Sequence, residues 1–228
     1  IVPGAMCSAG VVGSNRYGNI LLLLKILLIF GFGLWLILNS LDLKAGKFPY
    51  LKRKYLIFTI LFTGVLAEFI LEILFFTNIP LRVPVFCCSV VFRAPKLPFG
   101  YTQALLATFF YAILGAILIL NFLKQSMASF ALNLLFLFVA YYAITYFFGL
   151  YVYDHKCPYC MLLKDYYFVG YAIWGSLFLG IFFGIVPFLT ELITRRAYTH
   201  LLKYSSFWLI LNALICSAYV VKYYFVRG

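Results

Sequence analysis

Charge is what this sequence has least of. Only 11% of its 228 residues are charged, six of them acidic, and it has two histidines. A soluble domain averages about 25% charged residues, because polar groups must cover most of its surface. The shortage excludes a soluble enzyme, and the 66% hydrophobic content excludes a disordered segment. The histidines, His155 and His200, both fall in predicted loops. With no histidine inside a span, no haem is expected. The sequence also lacks a phosphate-binding Walker loop, a Ser-His-Asp set and H-E-x-x-H. It has no internal repeat and no pair of interrupted spans of the kind that marks many transporters. No segment alternates polar and apolar residues as a barrel strand would.

What the chain has instead is long apolar runs. A helical span needs about 20 mostly apolar residues. Six stretches qualify: Asn19–Leu41, Tyr55–Phe76, Thr102–Leu123, Ala128–Val152, Tyr166–Phe188 and Phe207–Phe225. The fold class predicted is an all-α integral membrane protein with six transmembrane helices, in which Gly and Pro cluster only at span ends. Span one is followed by no small-residue cleavage site and reads as a membrane span rather than a signal peptide. The net charge of +12 would suggest nucleic acid in a soluble protein. In a membrane protein it reads as the flanking charge that sets orientation, so no nucleic-acid partner is expected.

The basic residues divide unevenly between the two sides. Lys44, Lys47, Lys52, Arg53 and Lys54 follow span one, Lys124 follows span three, and Arg195, Arg196 and Lys203 follow span five. The positive-inside rule assigns these loops to the cytoplasm. The opposite loops, Thr77–Tyr101 and Tyr153–Asp165, carry Arg82, Arg93, Lys96, Lys156 and Lys164.

Four of the six cysteines lie in those two outer loops. Cys216, inside span six, reads as a packing residue, and Cys7 lies near the N-terminus. Cys87-Cys88 falls between spans two and three, and Cys157-Pro158-Tyr159-Cys160 between spans four and five. Orientation derived from charge alone therefore puts both pairs on the side where disulfides persist. A C-x-x-C spacing closes a small disulfide, and backbone N–H groups at a helix start favour the thiolate. With span five following at once, both sulfurs are expected at the membrane interface, at that helix N-terminus. Adjacent cysteines form only a strained disulfide, which exchanges readily. Three readings stand at this point: redox exchange, plain structural disulfides, and a four-cysteine metal site.

With that arrangement reached, the chain resembles the vitamin K epoxide reductase and DsbB group of membrane thiol oxidoreductases. Residues Cys88-Ser89-Val90-Val91-Phe92 are similar to the Cys-Ser-x-Val-Phe around a loop cysteine of that group. Phe110-Tyr111 resembles a Phe-Tyr pair in its following helix, and the C-x-x-C precedes its last bundle helix. Gln103 falls where the group places a quinone-bonding Asn, and Lys164 where it places a quinone-side Arg. The loop cysteines are adjacent here, not separated as in the group, and spans one and six are additions.

The resemblance implies a four-helix core of spans two to five with two flanking helices. Residues 55–188 would form the redox core, 1–54 an N-terminal segment with the first flanking helix, and 189–228 a loop with the last. Electrons would pass from a thioredoxin-fold or other extracytoplasmic thiol protein, through Cys87 or Cys88, to Cys157, to Cys160 and on to ubiquinone or menaquinone. In this scheme Cys157 is the more exposed of the pair. Lys164, Gln103, Tyr159 and Tyr166 would bind the quinone, and no metal site is assigned. His155 is a candidate proton donor and also reads as a solvated loop residue. The location expected is a bacterial inner membrane, in contact with lipid. The competing readings are a subunit of a larger membrane complex, stapled by disulfides, or a metal-binding membrane protein using the four loop cysteines.

Ionisable residues inside spans are costly and usually pair. Lys25, Glu68, Glu72 and Lys222 are predicted there. Glu68 and Glu72 share a helix face. The group reads as ion pairs fastening the spans or as a proton route.

Overall fold

The computed structural model describes residues 8–81, 102–151, 157–196 and 198–227. Every regular element among them is helical. A short helix α1 (Ser8–Val12) precedes six long ones: α2 (Arg16–Lys44), α3 (Leu51–Thr77), α4 (Gln103–Phe122), α5 (Ser126–Tyr151), α6 (Val169–Thr194) and α7 (Leu202–Arg227). All six contain stretches long and apolar enough to cross a membrane, and each corresponds to one predicted span.

The helices run past several predicted ends, for identifiable reasons. Asn15 caps α2, its Oδ1 accepting from the Tyr17 N–H at 3.0 Å. At the other end α2 takes in Asp42, because that carboxylate is buried and paired with Lys54 Nζ at 2.8 Å. Its other oxygen accepts from the Tyr50 N–H at 2.9 Å. Lys54 also donates to Asn39 Oδ1 at 3.0 Å. The predicted loop Asp42–Lys54 is thereby shortened from both sides. In α6 the helix continues through Pro187 to Thr194. The missing proline N–H costs one ladder bond, a defect that membrane helices tolerate where neighbouring groups re-satisfy the backbone.

The chain divides into two compact units, the first formed by the described residues of Ile1–Cys87 with Leu192–Arg196. Within it α2 packs on α3. The contact is made by glycines within the helices, not at span ends as expected. A Cβ on Gly31 would lie 2.4 Å from Leu61 Cδ2, and one on Gly64 would lie 2.8 Å from Leu28 Cδ2. Each leucine sits in the other helix's glycine notch, so the backbones approach closely, as small residues allow between membrane helices. Lys25 Nζ pairs with Glu68 Oε1, and with Glu72 Oε1 at 2.7 Å.

The second unit takes in the described residues of Cys88–Glu191 and Ala197–Gly228. It groups the spans differently from the expected core: spans three to six stand together, and span two belongs with span one. Side-chain chemistry accounts for this. Span two meets span one through the notches and ion pairs just described. Span six supplies polar anchors to its own unit: Asn212 Nδ2 donates to Ile173 O at 2.7 Å, and Ser205 Oγ to Gly180 O at 2.7 Å. Ser129 Oγ donates to Asn121 Oδ1 at 2.6 Å, and Asn121 Nδ2 to Ser206 Oγ at 3.1 Å. Around these lies an apolar core that includes Phe110, Phe136, Ile117, Ile144, Leu177 and Leu209, all essentially inaccessible.

Candidate functional site

The C-x-x-C segment lies between α5 and α6 and belongs to neither. Cys160 opens a 3₁₀ turn, Cys160–Leu162, and a second such turn spans Lys164–Tyr166. The Cys160 N–H donates to Cys157 O at 3.3 Å, Leu163 N–H to Cys160 O at 3.0 Å and Tyr166 N–H to Leu163 O at 3.1 Å. Two successive hydrogen-bonded turns thus connect Cys160 to Tyr166. Tyr167 and Phe168 then adopt left-handed φ values of 55° and 54°. That conformation is unfavourable for bulky side chains, and it redirects the chain into α6 at Val169.

This corrects the expected placement of the motif. The cysteines do not stand at the N-terminus of span five, because the left-handed pair holds that helix off until nine positions after Cys160. Nor is Cys157 the more exposed of the two. Its relative exposure is 0% and that of Cys160 is 4%. The side chain of Pro158 is buried beside them, and Met161 is fully enclosed.

The burial has a specific cause in α6. A Cβ on Gly170 would lie 2.8 Å from the Met161 carbonyl carbon, 2.8 Å from Met161 Cβ and 2.9 Å from Leu162 Cδ2. The C-x-x-C turn therefore rests directly on the glycine backbone of the first turn of α6. On the α5 side, Tyr141 lies within electrostatic reach of Tyr159 and Cys157, and its ring stands 6.1 Å from that of Trp174.

Beyond the second 3₁₀ turn lies a cleft of about 440 Å³, lined by Phe148, Asp165, Tyr166, Tyr167, Tyr219 and Lys222 with smaller apolar side chains. Phe148 orders its walls: its ring lies 5.1 Å from Tyr166 and 6.4 Å from Tyr219, edge-on to both. The cleft thus combines aromatic walls with one ammonium and one carboxylate.

Of the residues expected to bind a quinone, the structure brings Tyr166 to this cleft. Tyr159 is half-buried in the C-x-x-C turn, and Lys164 is exposed on the second 3₁₀ turn. The cleft's lysine is Lys222, from span six. Gln103 opens α4, but its side chain lies outside the described residues, as do Cys87, Cys88 and His155. The intramembrane charges also divide: Lys25, Glu68 and Glu72 form the ion pairs of the first unit, whereas Lys222 belongs to the second. Sequence reasoning missed Asp165, Tyr219 and Gly170 as site residues. Only tertiary packing distinguishes them from other interfacial polar, aromatic and small residues. Among the described residues no three His, Cys, Asp or Glu side chains converge as a metal site. No protein-family model, curated protein or solved structure matches this chain.

Proposed function

We propose that this chain is a membrane thiol–disulfide oxidoreductase of the bacterial inner membrane. It takes electrons from a reduced extracytoplasmic thiol protein and passes them through Cys157 and Cys160 to a membrane quinone. The observation that carries the reading is the arrangement at one end of the second unit. There a buried C-x-x-C turn, seated on Gly170, lies two hydrogen-bonded turns from a ring-sized aromatic cleft containing Lys222.

The electron balance is simple. Oxidation of the two thiols forms one S–S bond and releases two electrons and two protons. A bound quinone supplies the two-electron, two-proton acceptor. The chain's own residues do the rest. Phe148, Tyr166 and Tyr219 wall the ring and exclude water, and the Lys222 ammonium favours negative charge developing on a carbonyl oxygen. Asp165, five positions after Cys160 and in the lining of the cleft, offers a carboxylate to relay the thiol protons. The partner's dithiol then reduces the disulfide and becomes oxidised in turn, with Cys87 and Cys88 as the relay the resemblance implies.

The test is to reduce the purified protein, add a quinone, and tag the remaining thiols by mass. The experiment is repeated with Cys157→Ala and Cys160→Ala. Quinone-dependent oxidation abolished by either substitution is expected. Cysteines that stay oxidised throughout, unmoved by reductant or quinone, would instead mark structural staples and overturn the reading.

A further inference from the structure

The second unit has another cleft, at its opposite end. Lys124 stands in the turn between α4 and α5, whereas Cys157 follows the far end of α5, about 39 Å of helix away at 1.5 Å per residue. This cleft has a volume of about 670 Å³. Its lining is mixed. It joins the polar side chains of Lys124, Lys203, His200 and Thr199 to the apolar ones of Leu118, Phe122, Phe207 and Ile210. Lys124 and Lys203 are both exposed, and none of the described lining residues is acidic. Asn121, also in the lining, is locked, donating to Ser206 Oγ at 3.1 Å and accepting from Ser129 Oγ at 2.6 Å.

We propose that this cleft binds an anionic phospholipid, its phosphate held by Lys124 and Lys203 and an acyl chain lying along Phe122, Phe207 and Ile210. Charge complementarity selects the headgroup: two ammonium groups without a carboxylate prefer a phosphate whose charge is not cancelled by a choline or ethanolamine. The exposed apolar part of the lining selects a lipid over a free phosphate. Phe122 and Phe207 are 86% and 59% exposed, and a soluble anion would leave them uncovered. The proposal does not depend on the redox reading, since it shares no residue with the C-x-x-C site or the aromatic cleft.

The experiment is native mass spectrometry of the full chain released from nanodiscs of equal phosphatidylglycerol and phosphatidylcholine. Wild type is expected to retain phosphatidylglycerol preferentially. Lys124→Gln with Lys203→Gln should lower that preference about 30-fold, the effect of two lysines near an anionic lipid. Lys124→Arg with Lys203→Arg should keep it, and Lys44→Gln with Lys47→Gln, outside the cleft, should leave it unchanged. Equal retention of both lipids by wild type, or an undiminished preference in the double Gln variant, would overturn the proposal. So would competition by millimolar inorganic phosphate as effective as that by phosphatidylglycerol, which would mark a site for a soluble anion.

Discussion

Gly170 offers a direct test of how the C-x-x-C turn is held. Replacing it with Ala puts a methyl group 2.8 Å from two Met161 carbons. Carbon atoms in contact prefer about 3.5–4.0 Å, so the turn must lift from α6 by roughly 0.7–1.2 Å. Both opposing atoms are fixed to the Met161 backbone and cannot rotate aside. Overpacking of this kind costs about 1–3 kcal/mol, against a helix-propensity gain of at most about 1 kcal/mol for Gly→Ala. Gly175 is the internal control. It lies in the same helix, and a Cβ there meets nothing within 4 Å, so Gly175→Ala should keep the propensity gain. The two variants should therefore differ by about 1–3 kcal/mol, or roughly 5- to 150-fold in an equilibrium constant. Detergent-phase unfolding followed by tryptophan fluorescence reads the difference, with Trp174 in α6 as reporter. Alkylation of Cys160 after reduction, resolved by peptide mass, reads the local effect, since a lifted turn exposes a side chain now only 4% accessible. A Gly170→Ala protein as stable as Gly175→Ala, with unchanged Cys160 alkylation, would refute the seating of the turn on α6.

Two further substitutions separate the roles of the intramembrane lysines. Lys25→Met leaves Glu68 and Glu72 without their common partner, at an expected cost of about 1–3 kcal/mol for uncompensated charge in the bilayer. Neutralising both carboxylates in that background should restore most of the loss, and a double-mutant cycle in detergent checks it; no recovery would mean that the pairs contribute nothing. Lys222→Met should slow quinone-dependent oxidation of the thiols by about 10- to 100-fold, the typical effect of removing one electrostatic stabiliser, or somewhat less. Thiol exchange with a small dithiol should persist and Lys222→Arg should recover much of the rate, so equal loss in both assays would assign Lys222 a packing role.

How far the molecule could be read in advance depended on the range of the forces involved. The six spans were legible because about 20 consecutive apolar residues are sufficient evidence by themselves. Their ends were less so. A hydropathy count stops at Asp42 and resumes at Tyr55, unaware that the Asp42 carboxylate and Lys54 neutralise each other across the turn. The cysteine motif was visible as a spacing, but its setting was not. Apolarity continues through Tyr166, Tyr167 and Phe168, so nothing in composition reveals that the backbone turns left-handed there and delays the helix. The lysine of the aromatic cleft was sought four residues after Cys160. It comes from 62 positions after Cys160, a proximity that only the packing of α7 creates. Gly31, Gly64 and Gly170 carry the same lesson: a notch is defined by the side chain or backbone that fills it.

The ion pairs of the first unit also bear on how the protein enters its membrane. During synthesis span one emerges before span two, and its Lys25 meets Glu68 only 43 positions later. Alone in the hydrocarbon, that ammonium would oppose partitioning by about 2.5–3.5 kcal/mol on the insertion scale. Glu68 and Glu72 would carry a comparable penalty without it. The two segments are therefore better suited to leave the insertion channel as a neutralising hairpin than one after the other. The reciprocal glycine notches provide the close helix contact for that joint departure, so the same contacts that join the finished pair also serve its biogenesis.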